Sequence, residues 1–224
     1  MTDHSGDILM MLGLLLMAAA LCLAGFNVFS DSHAGSESDE AAATLAALIP
    51  ESGTAVLSTG DTGFDSTEAA DDGDFEMFSK GEELPMYVLY PEMEMPIQVV
   101  DGKEYIAMLS IPALELELPV MSEWSYPNLR SSPCRYTGSA YLNNLVIAAH
   151  NYNRHFGRLK TLSAGDQVIL TDMDGNVFTY EVVLMETLMP RDVTELTESE
   201  WDLTLFTCTV GGASRVTIRC EKVK

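Results

Sequence analysis

The sequence predicts an all-β fold, a closed barrel with short helical turns, preceded by a transmembrane helix and a disordered linker. Beyond residue 100, short runs alternate polar and apolar residues between proline and glycine turns, with almost no helical periodicity. Before them come an uncharged apolar stretch and an acidic segment rich in Ser and Gly. Many short strands separated by turn signals are typical of a barrel.

The chain of 224 residues divides into four predicted parts. Residues 1–7 form a short tail, 8–28 a transmembrane anchor, 29–100 an acidic low-complexity linker and 101–224 a folded domain. The stretch Ile8–Val28 has no charged side chain and is long enough to cross a bilayer as a helix. A cleaved signal peptide is the alternative, but it normally begins with a basic region, and residues 1–7 contain no Lys or Arg.

The protein is strongly acidic, with a formal net charge of -22. Between Asp31 and Pro96 there are sixteen acidic residues and one basic residue, whereas the part from Asp101 to Lys224 has sixteen acidic and eleven basic residues. Because such a surface repels phosphates, nucleic acid is excluded as a partner. The acidic segment is too poor in apolar residues to offset its ordering entropy, which predicts a solvated linker with at most a short helix at Thr44–Ile49.

The first strands of the domain are predicted from alternation and proline positions. The runs Tyr105–Ile111 and Leu114–Met121 alternate like half-buried strands, which Pro112 and Pro119 end or edge. The nearly all-apolar run at 144–149 predicts a strand that is buried on both faces.

A hairpin is predicted around the sequence DMDGN, where Asp174 and Gly175 supply a turn with positive φ. This turn resembles the start of a calcium-binding loop but lacks the later Glu that such a loop requires. The remaining elements are one helical turn and four strands, predicted at Phe156–Leu162, Gln167–Thr171, Val177–Met185, Leu203–Thr207 and Arg215–Arg219.

Three sequences in this domain carry residues suited to chemistry. The chain has four cysteines and no CxxC spacing, so neither a zinc site nor a disulfide scaffold is indicated. Cys134 and Cys220 are expected to be small buried hydrophobes, whereas Cys208 ends the strand LTLFTC and can face a groove. In AAHN a histidine, His150, closes an apolar strand, and in SRVTIRC two arginines share a strand face. Taken singly, these last two features are more typical of structural side chains.

Together, LTLFTC, AAHN and SRVTIRC resemble the sortase family of cysteine transpeptidases. In that family the cysteine ends a T-L-x-T-C-type strand, the histidine ends an earlier strand and the arginine follows on the next one. The resemblance runs from about Tyr105 to Lys224 and includes Gly157–Leu162 and Gly165–Val168. It implies a sortase-type β-barrel and makes 101–224 the catalytic domain.

The resemblance implies a nucleophile, Cys208, an acid/base, His150, and an oxyanion partner, Arg215. Arg219 is the alternative arginine, but Arg215 is nearer the start of its strand, which antiparallel pairing sets beside the end of the Cys208 strand. His155 is the alternative histidine and is expected to be exposed in a polar loop. Whether the resting pair is thiolate with imidazolium or neutral stays open.

Substrate contacts in this family come largely from the long loop before the cysteine strand, here Met185–Asp202. The residues expected to contact substrate are Leu188, Met189, Pro190, Val193 and Thr207. An ordinary surface loop with some core-facing residues is the alternative. The short gap between Cys208 and Arg215, and the Asn after His150, resemble class B sortases more than class A.

The implied reaction cleaves a C-terminal sorting motif of surface proteins and transfers the acyl group to an amine of the cell wall or of a pilin. The implied partners are surface or pilin proteins with a C-terminal sorting signal, a peptidoglycan cross-bridge or lysine amine as acceptor, and the membrane through the N-terminal helix. No cofactor and no metal are expected. The chain would be a single-pass protein of the cell membrane with its catalytic domain outside the cytoplasm.

Two other functions stay open at this point. One is a surface cysteine peptidase that hydrolyses without transfer, and the other is a non-catalytic, membrane-tethered barrel that binds peptides. The stretch Asp72–Phe78 in the linker is a candidate lid over the site.

Overall fold

Nine strands form one sheet in the computed structural model, which describes residues 4–50, 84–198 and 200–223. The strands are β1 Gln98–Val100, β2 Lys103–Ile111, β3 Leu116–Met121, β4 Cys134–Thr137, β5 Leu145–Ala149, β6 Gln167–Asp172, β7 Val177–Leu188, β8 Leu203–Cys208 and β9 Arg215–Lys222.

The sheet closes on itself. Its order is β1-β2-β3-β4-β5-β8-β9-β7-β6, and β2 pairs again with β6, from Ala107↔Asp172 to Ser110↔Ile169. Eight strands therefore form a closed barrel, while β1 makes a short hairpin with the start of β2. The predicted all-β barrel is confirmed. The barrel is weakest between β3 and β4, which pair only at Met121↔Cys134.

The described helices are few outside the N-terminal segment. They are α1 His4–Leu48, α2 Met86–Leu89, α3 Tyr126–Ser131, α4 Val193–Thr197 and two 3₁₀ turns at Pro112–Leu114 and Phe156–Thr161. The second turn matches the helical turn predicted at Phe156–Leu162. A serine, Ser125, begins α3, and its hydroxyl accepts a hydrogen bond from the Asn128 amide at 3.1 Å, which caps the first turn.

Every predicted strand is present, with ends shifted by at most three residues, whereas β1 and β4 were not predicted. Pro119 lies inside β3 rather than at its end. The strand tolerates it because β3 pairs with β4 only at Met121, which leaves the backbone of Pro119 unpaired on that side. The strand predicted to be buried on both faces is β5, whose five residues are all buried between β4 and β8.

Alternate residues of the strands form two apolar clusters. The barrel interior holds the larger cluster, including Leu109, Val120, Ile147, Leu205 and Ile218. An outer cluster on one face of the sheet is covered by helices, and it includes Leu45, Leu129, Val146, Ala148, Leu196 and Phe206. The outer cluster shows that one external face of the barrel is a second core.

The turn predicted for DMDGN is confirmed. Gly175 has φ of 82°, and the buried carboxylate of Asp172 accepts hydrogen bonds from the amides of Asp174 at 3.0 Å and Asn176 at 2.9 Å. The hydroxyl of Tyr141 donates to the same carboxylate at 2.7 Å. These hydrogen bonds to Asp172 therefore stabilise the turn between β6 and β7.

The described parts of the predicted linker, 29–100, contain regular structure. Helix α1 continues to Leu48 and buries residues against the domain, and 84–100 contribute α2 and β1. Tyr87 stacks on Tyr141 with ring centroids 4.7 Å apart. The physical reason is that small side chains spaced along one helix face allow close packing despite an acidic composition. Residues 51–83, with the candidate lid Asp72–Phe78, lie outside the described residues.

Among the described residues, one helix includes a stretch that is long and apolar enough to cross a membrane, and it lies within Ile8–Leu48. None of that stretch is buried against the rest of the protein. The boundaries of the predicted anchor and domain stay a prediction.

We expect Ile147→Ala to lower the free energy of unfolding by about 2–4 kcal/mol, because it removes methyl groups from the middle of a fully buried strand and leaves a cavity. Urea denaturation of the full chain in detergent measures this loss. The matched control is Val177→Ala, at an exposed strand position, which should change stability little. Equal losses in both variants would contradict the assigned core.

Candidate active site

Three strand ends meet at one edge of the barrel. Strand β5 runs parallel to β8, and their last pair is Ala149↔Thr207, so His150 and Cys208 each directly follow a residue of this pair. Strand β9 runs antiparallel to β8 and pairs Cys208 with Arg215. Because neighbouring strands lie about 4.8 Å apart, the three backbones fall within roughly 10 Å. The three residues predicted to be catalytic are brought together.

A buried hydrogen bond ties the two parallel strand ends. The Thr207 hydroxyl donates to the carbonyl oxygen of Ala149 at 2.8 Å. Thr207 is only 3% exposed, so the expectation that it contacts substrate is not supported by its burial. Its side chain instead joins Thr207 to Ala149, and these two residues directly precede Cys208 and His150.

The side chains of Cys208 and Arg215 lie on the outer face of the barrel. Alternation places Cys208 on the face of Phe206, which packs in the outer cluster. The guanidinium carbon of Arg215 lies 5.4 Å from the centroid of the Phe206 ring, a distance typical of a cation–π contact. The Phe206 ring therefore holds the arginine on the face that carries the thiol.

One donor of Arg215 lacks a partner among the residues that the structure describes. Its Nη1 is buried and makes no hydrogen bond to any residue that the structure describes. Leaving a buried charged donor unsatisfied is costly. An oxygen that develops negative charge beside Cys208 would satisfy it.

The surroundings of His150 favour its neutral form. Burial lowers the pKa of His150 below its ordinary value, and the positive charge of Arg130 lowers it further. The ring of Tyr152 lies 5.0 Å away, centroid to centroid. A neutral imidazole is the form that can accept a proton from a thiol or an amine.

The cysteines differ in accessibility. Cys208 is exposed and free, whereas Cys134 and Cys220 are free and fully buried, as predicted for both. Burial raises the pKa of both buried thiols to about 12. Within the domain, Cys208 is the thiol that solvent and substrates can reach.

The alternative arginine, Arg219, has a structural role. It is 2% exposed, and its Nε donates to Glu186 at 2.7 Å. Its other nitrogens donate to the Thr204 hydroxyl at 3.0 Å and to the carbonyl oxygens of Glu195 and Leu196 at 2.6 and 3.3 Å. Arg219 thus fastens α4 to the barrel and is not available to bind an oxyanion.

The alternative histidine, His155, is not exposed as expected. It is fully buried, and burial lowers its pKa to about 4. Its loop is covered by α1, whose residues were predicted to form the anchor and the start of the linker. His155 therefore packs beneath the surface, and His150 is the histidine at the strand end beside Cys208.

The predicted substrate residues lie on and after β7. Leu188 is half-buried and pairs with Arg215, which extends the row of strand ends by one residue. Met189, Pro190 and Val193 are exposed on the connection between β7 and β8. Four of the five expected positions therefore remain candidates for substrate contact.

A cavity of about 750 Å³ opens beside His150. Its walls come from α1, α3 and the segment after β5, and include Phe29, His33, Glu37, Tyr126, Arg130 and Tyr152. None of these was predicted to line a site. In the sequence, the small or apolar residues Ala34, Ser38, Ala41 and Leu45 recur every three or four positions, and this spacing was a helix signal that could have been used.

No cluster of three His, Cys, Asp or Glu residues suited to a metal ion occurs within 4–50, 84–198 or 200–223. The site described here consists of a thiol, an imidazole and a guanidinium.

Comparison with known proteins identifies relatives. The family model named Sortase, for the Sortase domain, matches residues 109–223. Sortase A of Bacillus anthracis is 30% identical over 116 residues, which cover 49% of this chain and 54% of that protein. The match therefore spans about half the length of this curated relative.

Two solved structures resemble the chain. Sortase A from Corynebacterium diphtheriae, a lid mutant, is 23% identical with a TM-score of 0.48, and the match covers 61% of this chain and 75% of that one. Sortase C of Streptococcus pneumoniae is 26% identical with a TM-score of 0.47, covering 52% and 65%.

Iodoacetamide at neutral pH should modify Cys208 alone in a folded Cys22→Ala variant. Only the thiolate reacts, and burial keeps Cys134 and Cys220 protonated and inaccessible. Peptide mapping by mass spectrometry reads out the modified sites. Protein unfolded in guanidinium is the control and should react at all three thiols. Equal labelling of Cys134 in the folded protein would contradict this environment.

We expect Arg219→Met to lower the free energy of unfolding by about 1–3 kcal/mol, because the Thr204 hydroxyl and the carbonyl oxygens of Glu195 and Leu196 lose a buried donor. Glu186 is 33% exposed, so solvent compensates much of its lost partner. The substitution should also speed limited proteolysis between β7 and β8. The control is Arg191→Met in the same connection, whose side chain is 87% exposed and whose loss should cost little. Equal proteolysis of both variants would contradict the proposed role of Arg219 in fastening α4 to the barrel.

Proposed function

This chain belongs to the sortase family, and from that premise we propose that it is a cysteine transpeptidase that acts on C-terminal sorting motifs. The observation that supports the proposal most directly is the row of strand ends His150, Cys208 and Arg215. A thiol, a base and a cation side by side suit acyl transfer through a covalent intermediate.

In the first half-reaction, the Cys208 thiolate attacks a backbone carbonyl carbon of the substrate. The carbonyl π electrons move to oxygen, and Arg215, whose Nη1 is free to donate, stabilises the resulting oxyanion. His150 carries the proton that it took from the Cys208 thiol. As the intermediate collapses, the C–N bond breaks and His150 gives this proton to the departing amine. The products are a thioester on Cys208 and the released C-terminal fragment.

In the second half-reaction, an amine attacks the thioester carbon. His150, now neutral, accepts a proton from the attacking nitrogen, and the C–S bond breaks to regenerate the thiolate. The lowered pKa of His150 favours the neutral form that this step needs. The product is a new amide between the substrate and the acceptor.

The proposed acceptor is an amine of a peptidoglycan cross-bridge or a lysine of a pilin, and the proposed substrates are surface or pilin proteins with a sorting signal. We propose that Leu188, Met189, Pro190 and Val193 form the wall that binds the apolar part of the motif. The relatives reported above are named sortase A and sortase C. The class B-like subclass stays a hypothesis, based on the short connection between Cys208 and Arg215.

We also propose that α1 anchors the protein in the cell membrane with the domain on the outer side. The support is the exposed, uncharged stretch Ile8–Val28 at the start of this helix. No basic flank orients the helix by charge, so the outward orientation rests on the family.

The test uses the full chain in detergent micelles, a set of peptides with Leu-Pro-type sorting motifs and a lysine peptide as the amine. Wild type should form the transfer product, and mass spectrometry should detect a thioester on Cys208. Hydrolysis alone at saturating amine would indicate a peptidase. Neither product nor thioester with any peptide of the set would favour the non-catalytic binder.

Cys208→Ala should abolish turnover, because no other accessible thiol lies at the strand ends. His150→Ala should lower kcat about 100-fold or more through loss of proton transfer, and Arg215→Met about 100- to 1000-fold through loss of an oxyanion donor. The folded control is Cys134→Ala, at a buried position, which should keep activity. Wild-type kcat in His150→Ala would exclude its proposed role.

A further inference from the structure

The second half of α1 is packed against the domain. Beyond Val28, the helix buries Ala34, Ser38, Ala41 and Leu45 to 7% exposure or less. These positions recur every three or four residues, so they form one helix face. Leu45 lies in the outer cluster, the same cluster that contains Phe206. We call residues 31–45 the docked segment.

The docked segment holds the loop that follows His150. The carboxylate of Asp31 accepts hydrogen bonds from the Arg154 amide at 3.3 Å and from the Asn153 side-chain nitrogen at 3.5 Å. About two helical turns further along, Asp39 pairs with the Arg154 guanidinium. Two carboxylates on one helix thus bind two consecutive residues of the loop.

The loop is in turn connected to His150. The Phe156 amide donates to the carbonyl oxygen of His150 at 3.2 Å, which closes the segment 150–156 into a compact turn. The ring of Tyr152 lies 5.0 Å from His150 and 5.6 Å from the buried His155, centroid to centroid. A displacement of Arg154 is therefore expected to shift His150, because the residues between them form one compact turn.

We propose that the docked segment is a positioning element of the active site, which holds the loop 150–156 and thereby sets the place of the His150 imidazole beside Cys208. Asp31, Asp39 and Arg154 are positioning residues and do not touch the reacting atoms. The inference rests on the proposed function for its consequence in turnover. Its structural content, that the helix holds the loop, stands on the contacts alone.

A passive tether is the competing explanation. A tether needs only to leave the domain at one point. Helix α1 instead runs along the domain surface, where it buries one face and pairs its carboxylates with basic side chains of the domain. A further contact of the same kind joins Glu37 to Lys103 at 3.5 Å. The acidic residues of this helix thus face basic residues at several points along the domain surface.

Gly35 gives a way to perturb the contact without changing the barrel. It is buried where the Arg154 side chain crosses α1, and a Cβ at this position would lie 2.1 Å from Nε and 2.4 Å from Cδ of Arg154. Gly35→Ala must therefore displace the Arg154 side chain. Gly25 lies in the same helix with nothing within 4 Å of its virtual Cβ, so Gly25→Ala has the same helix-propensity gain without a clash.

The experiment compares these two variants with wild type as full chains in detergent micelles. The first measurement is hydrogen–deuterium exchange of the segment 150–157, which needs no activity. Gly35→Ala should raise exchange there at least about fivefold, in the manner of a local opening, while Gly25→Ala should match wild type. Unchanged exchange in Gly35→Ala would overturn the proposal, whatever reaction the protein performs.

The second measurement is kinetics with the sorting-motif peptides and the lysine peptide. Gly35→Ala should lower kcat about tenfold with KM unchanged, because a small misplacement of a catalytic group slows the chemical step. Equal kcat in Gly35→Ala and Gly25→Ala would overturn the proposal. Absence of turnover in wild type would instead contradict the proposed function and leave the exchange result to decide.

Rescue separates positioning from general destabilisation. Arg154→Asp should lower kcat as Gly35→Ala does, and Asp39→Arg combined with Arg154→Asp should restore at least part of it by re-forming the pair in reverse. Thermal unfolding checks that each variant folds. If the kcat of the double variant were no higher than that of Arg154→Asp, the ion pair would not be the contact that holds the loop. If exchange in Gly35→Ala were also unchanged, the whole proposal would be overturned.

Discussion

The parallel pairing of β5 with β8 is the constraint on which the site depends. Parallel strands end at the same edge of a sheet, so this single pairing sets His150 beside Cys208 although 58 residues separate them. The antiparallel pairing of β8 with β9 then adds Arg215 at the same level. Because the barrel is closed through β2 and β6, a one-residue slip of β8 would turn its buried side chains outward on both neighbours. The register, and hence the site, is fixed by the core.

The barrel has two apolar faces, and this explains how a reactive group can lie on a strand without being walled in. Interior residues such as Leu205 form the core, while the opposite face of the same strand carries Phe206 and Cys208. Helices α1, α3 and α4 contribute Leu45, Leu129 and Leu196 to the cluster on that outer face. The outer cluster thus supports the thiol from one side and leaves it exposed on the other.

Charge in this protein is used locally. The chain is very acidic as a whole, yet its acidic helix faces basic positions of the domain, and the buried Arg219 meets Glu186. Such pairs contribute little at exposed positions, where solvent screens them. A buried pair constrains geometry, because breaking it leaves an uncompensated charge. The positions of α1 and α4 beside the strand ends follow from these contacts together with apolar burial.

The sequence by itself determined seven of the eight barrel strands, the hairpin turn at Gly175 and the choice of Cys208, since alternation, turn residues and strand ends are local properties of the chain. It missed β4, Cys134–Thr137, which is too short to show a clear alternation. It did not predict that α1 continues as a docked helix, because composition indicates solubility and not the close packing that Ala34 and Ser38 permit. It also misjudged His155, as a polar loop is exposed only when nothing covers it. Strand register and helix packing decided which side chains face one another. They also decided that Arg219 is buried in hydrogen bonds, while Nη1 of Arg215 has no partner among the described residues. These contacts join residues far apart in the chain, so no local sequence pattern predicts them.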